Sequence, residues 1–315
     1  MAHIRKLAPD LVLIDTGYTH TPEAVGVYLL LGDRPALIET GPATAADAVL
    51  EGIRDAGVNP RELRAAAVTH IHLDHAGAAG TLARRLPDLQ IYVHPIGAPH
   101  LIDPARLITS ARRLYGDDLD RLLGAPAPTP GERVHAVADG DTLELGSRRL
   151  RAVDTPGHAR HHHAFFDERS GDLFTGDVAG VALPNSRYVR PPTPPPDFDV
   201  QSWKTSLTRL QALAPSRLLL THFGPQTWVA ELFDQLATRI DRMVDRVREA
   251  LAAGMDPTAI TEQVKREAME EIDAADGPGS SARYEVIMPV HQSVLGLIRY
   301  IEKTGSERSK GSTGT

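Results

Sequence analysis

The stretch Thr69-His70-Ile71-His72-Leu73-Asp74-His75 constrains this chain more than any other, because it sets four metal-ligand side chains close together behind an apolar run. Leu63 to Val68 reads as a buried strand and Ala76 to Leu86 as a helix, which puts the four side chains on the turn between them. In α/β proteins such turns are where ligands gather. The period of two along a strand end sends His70 and His72 to one face, so two imidazoles can grip one cation while Asp74 and His75 turn towards another. The spacing suggests two metals in a mixed α/β fold.

Composition narrows the chemistry. The 315 residues include no cysteine, which excludes disulfides, thiolate metal sites and thiol nucleophiles. Any metal must then be held by imidazole and carboxylate. A net charge of −7, from 41 acidic against 34 basic residues, argues against a nucleic-acid partner, which would normally call for a basic stripe. No window approaches the roughly 18 to 20 apolar residues of a membrane span. The opening Met-Ala-His-Ile-Arg-Lys-Leu also lacks the apolar core of a secretory signal, so the expectation is a cytoplasmic protein without a membrane partner.

Along the chain, Leu11 to Asp15, Gly26 to Leu31 and Ala36 to Glu39 read as strands, and Thr44 to Ala56 as a helix capped by Thr44 and stopped by Gly57. The strand Gln90 to Val93 continues a β-α-β alternation. Residues 97–130 form a helical insertion, with a helix over Arg106 to Leu123 and a proline-rich exit. A second β-rich block follows, with strands at Arg133 to Ala138, Thr142 to Glu144, Arg149 to Val153, Ala164 to Phe166 and Leu173 to Phe174. Two such blocks separated by helices are what a pair of stacked sheets flanked by helices would show. Within the loop 184–200, Pro191 to Pro196 should be a stiff, extended surface segment, either a lid or a plain linker. Gln201 to Leu213 reads as a helix, Arg217 to Leu220 as a strand and Gln226 to Ala252 as a long helix. A helix capped by Asp256 follows, then one through Tyr284 to Ile298 that Pro289 should kink. We divide the chain into a domain over 1–225, a helical extension over 226–303 and a disordered tail over 304–315.

Three more ligand-type signals end apolar runs: Asp154-Thr-Pro-Gly-His158, Thr175-Gly-Asp177 and Thr221-His222. A lone histidine after a strand is usually structural, and Gly-Asp is usually a turn. With the first cluster, however, they make five His and two Asp, a donor set suited to Zn²⁺ or another first-row ion.

The ordered set His70-x-His72-x-Asp74-His75, His158, Asp177, His222 resembles the metallo-β-lactamase-fold hydrolase superfamily over roughly residues 10 to 225. The resemblance implies a four-layer αββα sandwich with metals at the edge between the sheets. It assigns His70, His72 and His158 to one divalent ion and Asp74, His75 and His222 to a second, most simply Zn²⁺ with Fe or Mn as alternatives. Asp177 would bridge both beside a hydroxide, and Asp74 would hydrogen-bond or relay its proton. Two such cations lower the pKa of a bridging water from about 15.7 towards neutrality and need no serine or cysteine nucleophile.

The implied activity is hydrolysis of a small ester, thioester, lactone or phosphoester, with glyoxalase II-like members resembling the chain in the placement of helices after the catalytic region. The position where lactonases of this superfamily carry a tyrosine is Gly180. A ribonuclease Z-like nuclease is the alternative enzyme, and a metal-binding redox module the alternative outside hydrolysis. His162, Tyr284 and His291 are candidates for substrate contact or for supporting the ligands, although Tyr284 and His291 have a helical spacing that also suits core positions. His94 and His100 read as structural. A homodimer is the default oligomer.

Overall fold

The computed structural model describes residues 3–311. The first half of the chain runs β1 (His3–Ala8), β2 (Leu11–Asp15), β3 (Gly26–Leu30), β4 (Ala36–Ile38), α1 (Ala46–Asp55), β5 (Ala65–Ala67), α2 (Leu73–Ala76), α3 (Ala79–Arg85) and β6 (Gln90–Val93). The insertion supplies α4 (Ala98–Ile102), α5 (Ala105–Tyr115) and α6 (Leu119–Leu122) before β7 (Val134–Ala136). The second half holds β8 (Thr142–Leu145), β9 (Arg148–Asp154), β10 (His163–Asp167), β11 (Asp172–Gly176), α7 (Val200–Gln211), β12 (Arg217–Leu220) and β13 (Gly224–Gln226). It closes with α8 (Val229–Ala252), α9 (Pro257–Asp276), α10 (Ser280–Ile287) and α11 (Val290–Gly311).

β1 to β7 form one sheet in sequence order, antiparallel through β4 and parallel from β4 to β7. The second sheet has the order β13-β12-β11-β10-β9-β8, with β11 and β12 its parallel pair. Alternation along β2 explains the layering. Leu11 and Leu13 point into the apolar layer between the sheets with Tyr28, Phe165 and Phe174, whereas Val12 and Ile14 pack outward against α1 and α3. The second sheet buries its outer face under α7, α8 and the helices that follow. This is the αββα sandwich, with both faces of both sheets covered. Among the described residues no helix is long and apolar enough to cross a membrane.

Several element boundaries differ from the sequence reading. Thr44 lies in a short 3-10 turn and bonds the Leu122 carbonyl, so it ties the insertion down rather than capping α1. The expected helix over Arg106 to Leu123 breaks at Gly116 into α5 and α6. Gly224 to Gln226, read as the approach to a helix, pairs with β12 as an edge strand, so a domain boundary at residue 225 would cut through β13. Pro289, with no N–H to donate, separates α10 from α11 instead of kinking one helix.

Pro191 to Thr193 are buried, not on the surface, because α11 lies directly over them and Thr193 Oγ donates to the Ser293 carbonyl. α11 also runs on to Gly311, so the first part of the segment expected to be disordered is helical, continuing from Tyr300 and Ile301 packed on the core. Residues 312–315 lie outside the described residues.

Candidate metal centre

Strand direction brings the site together. β9 and β11 each pair antiparallel with β10, and β11 is parallel to β12, so all three end at the same edge of the second sheet. From that edge the chain delivers His158 beyond β9, Asp177 beyond β11 and His222 beyond β12. The facing edge of the first sheet delivers the remainder beyond β5. There Thr69 to His72 form a loop and Asp74 and His75 stand in the first turn of α2, which starts earlier than the sequence pattern indicates. His70 and His72 do converge, but through this loop and not through strand alternation.

The seven side chains fall into two groups: His70, His72, His158 and Asp177 in one, Asp74, His75 and His222 in the other, with ligand atoms in each group within 4.8 Å of one another. Asp177 faces both. Its Oδ2 lies 3.2 Å from His158 Nε2 and 4.0 Å from His70 Nε2, and its Oδ1 lies 3.1 Å from His75 Nε2 and 3.4 Å from His222 Nε2. Asp74 Oδ2 lies 3.3 Å from His222 Nε2.

Hydrogen bonds behind the rings fix which nitrogens carry lone pairs. His158 Nδ1 donates to the Pro192 carbonyl at 2.9 Å, His222 Nδ1 to the Ala24 carbonyl at 2.7 Å, and His75 Nδ1 to Glu39 Oε1 at 3.0 Å. Thr69 Oγ, which gives its proton to Glu39 Oε1, accepts from His70 Nδ1 at 3.1 Å. The inward nitrogens are therefore acceptors. Yet His72 Nδ1 lies 2.9 Å from His70 Nε2 and 2.8 Å from His158 Nε2, and His222 Nε2 lies 3.3 Å from His75 Nε2. Lone pairs facing each other at these distances repel unless a cation stands among them. Asp177 Oδ1 is likewise buried without a hydrogen-bond donor. The residues present fit a pair of divalent ions, with the back nitrogens of His70, His75, His158 and His222 held as metal-bound histidines require.

Electrostatics agree with that protonation for His70 and His72, while at His75 and His222 the carboxylates of Asp177 and Asp74 overcome burial and raise both rings, so that side calls for a positive charge, as a proton or a metal ion. Burial first, and then the neighbouring imidazoles, hold His70 well below the usual histidine value and His72 down to about 3. Asp74 is drawn down to about 2: burial opposes ionisation, but His75 and His222 outweigh it. Asp177 is lowered further, with His75, His158 and His222 overcoming its burial.

His162 is buried beside the centre and not in it. Its Nδ1 donates to Thr155 Oγ at 2.7 Å and its Nε2 accepts the Asp177 backbone N–H at 3.2 Å, so it holds the shared carboxylate's main chain in place. Tyr284 is fully buried and accepts from the Leu183 N–H while donating to the Tyr188 carbonyl, and His291 is exposed on α11. Neither lines the pocket over the centre, whereas His100, read as structural, does. Gly180 has a left-handed backbone (φ 77°), and a Cβ there would stand 2.8 Å from the Arg190 carbonyl, so no side chain fits where the lactonases place tyrosine.

Two residues escape the sequence reading. Glu39 is fully buried with a left-handed backbone (φ 68°), and its carboxylate accepts from His75 Nδ1, from Thr69 N and Oγ, and from Thr221 Oγ. An acid closing an apolar strand is its signal. Tyr115 lines the pocket from α5, as Gln292 does from α11, and lies in the fields of Asp74 and Asp177. Nothing local to its sequence marks it.

The pattern of the Metallo-beta-lactamase superfamily matches residues 20–222. The chain belongs to that superfamily. It is a metal-dependent hydrolase, and the superfamily's divalent-metal chemistry accords with the two groups above. It is 29% identical over 253 residues to the probable metallo-hydrolase YqjP of Bacillus subtilis, covering 73% of this chain and 76% of that one. A hydroxyacylglutathione hydrolase of a Synechococcus strain is 31% identical over 152 residues, 48% of each chain. The superfamily protein TTHA1429 of Thermus thermophilus shares the fold, with a TM-score of 0.68 at 22% identity over 95% of both chains.

Proposed function

We propose that this superfamily member hydrolyses a small carboxylic ester or thioester with two divalent cations, zinc being the ion its nitrogen and oxygen donors suit best. The observation that carries the reading is the convergence of inward lone pairs on both sides of Asp177. His70, His72 and His158 would hold one ion, Asp74, His75 and His222 the other, and Asp177 both. When bound, such a pair supplies Lewis acidity, making a water acidic enough to attack near neutral pH and polarising the carbonyl it attacks.

The chain's own groups do the rest. Asp74, ionised and open to the pocket, turns Oδ2 to His222 and leaves Oδ1 to take the proton of the attacking water. Tyr115, whose phenol burial keeps protonated with Asp74 adding to the effect, donates a hydrogen bond to the departing heteroatom. The walls of α5, the proline segment and the α10–α11 junction keep bulk water out. A carboxylic substrate is favoured over a phosphoester or RNA because the basic groups of the pocket, Arg106, Arg160 and His100, are few, and Arg160 is already paired with Asp197. The match to a hydrolase of an acylated glutathione supports the same preference.

The test is a matched panel of thioesters, esters, lactones, phosphoesters and RNA, assayed before and after chelation and zinc readdition. Zinc-restored cleavage of esters or thioesters supports the reading. Turnover of phosphoesters or RNA alone, or iron content with oxygen consumption and no hydrolysis, would overturn it.

A further inference from the structure

The cavity over the metal centre encloses about 260 Å³ and is lined by both polar and aliphatic side chains. Its lining includes metal-ligand side chains, Tyr115, Gln292 and Ser293, whose Oγ is a buried hydroxyl without a partner. The aliphatic part of the lining is Ile71 and Leu73 between the ligands, Leu107 and Leu114 of α5, and Ile287 and Met288, with prolines of the 191–196 segment, while Ser110, Arg160, His161 and Asp197 are among its polar members.

The wall is preformed. Leu73, Ala111, Ile287 and Met288 belong to one apolar cluster that joins α5 and α6 to α10, so the insertion and the C-terminal helices floor the cavity together. Arg106 of the lining is exposed and has no carboxylate within ion-pair distance among the described residues.

We infer that the substrate's acyl part is an aliphatic chain, packed against the patch that Leu73, Leu107 and Ala111 share with Ile287 and Met288. The inference deepens the hydrolase reading and rests on it for the reaction: water adds to the acyl carbon, the bond to sulfur or oxygen breaks, and a fatty acid and a thiol or alcohol leave. A hydroxyl or amide held against that aliphatic patch would lose its water without gaining a partner there.

The test is calorimetric titration of saturated carboxylates from butanoate to dodecanoate into the metal-loaded protein. Affinity should rise about fourfold per methylene until the cavity is filled. Leu114→Asp should flatten that rise, and Ser110→Trp should bring the plateau to shorter chains, both with native circular dichroism. Affinity independent of chain length in the wild type would overturn the inference, as would a slope unchanged in both folded variants or one seen with alkanols and not with acids. Length-dependent binding without any ester or thioester cleavage would instead sink the hydrolase reading and leave the chain site standing. Cleavage that ignores chain length would do the reverse.

Discussion

Glu39 shows how much of a metal centre lies behind its ligands. Its carboxylate is removed from water and satisfied by four donors, one of them the back nitrogen of His75. The left-handed backbone that aims it carries a cost of order 1–3 kcal/mol, tolerated because the side chain fixes His75, Thr69 and Thr221 at once. Glu39→Gln keeps the shape but offers one oxygen where two accept, and an amide donor where donors already crowd. We expect the fold to survive and metal affinity to fall by about 10- to 100-fold in competition with a chromogenic chelator. Unchanged affinity would make Glu39 a structural acid only. The seven ligand-type residues are legible in the sequence because each ends an apolar run and carries a distinctive side chain. Glu39 has only the faint signal of an acid closing an apolar strand and Tyr115 has none, since a lone acid or phenol acquires meaning from neighbours across the fold: Thr221 is distant from Glu39 in sequence, and Asp177 from Tyr115.

Among the elements, α11 and the proline segment are coupled more tightly than a lid over a pocket. Pro192 accepts from His158 Nδ1, and Thr193 donates to α11, so this segment positions a ligand as well as lining the cavity. Removing all of 191–196 would disturb His158, and a change confined to Pro194–Pro196 is the cleaner probe of substrate choice. Gly296 is where the helix meets the segment: a Cβ there would come 1.9 Å from the Thr193 carbonyl. Gly296→Ala must push α11 away, at a cost of about 1–3 kcal/mol by analogy with overpacked cores, visible as a lowered melting temperature. A melting temperature equal to the wild type would mean the contact is looser than described. Strand order and the helical nature of the insertion follow from periodicity and punctuation. The burial of Pro191 to Thr193 does not, because prolines look alike in sequence whether water or a helix covers them.

For the whole molecule, burying so many imidazoles at one sheet edge sets a pH limit on stability. His163, packed against the Val68 carbonyl away from the ligands, is held down to about 3 by burial, and His161 and His162 are lowered well below the ordinary value. In the metal-loaded protein, where His75 and His222 cannot take up protons without losing the ion, the unfolded chain below about pH 6.5 therefore binds protons that the folded chain refuses, and stability falls as pH drops. One such histidine costs roughly 2 kcal/mol by pH 5 at 1.36 kcal/mol per unit. Thermal melts from pH 8 to 5 should show a steady decline beginning near pH 6.5. A flat profile over that range would mean these rings are protonated in the fold.

The account as a whole turns on one carboxylate shared between two groups of ligands. Its most direct test is metal content per chain by plasma mass spectrometry for the wild type and Asp177→Asn, with circular dichroism on both. We predict two divalent ions per wild-type chain and a marked loss of metal in the folded variant. One ion or none in the zinc-equilibrated wild type, or full metal in Asp177→Asn, would contradict the shared dinuclear centre.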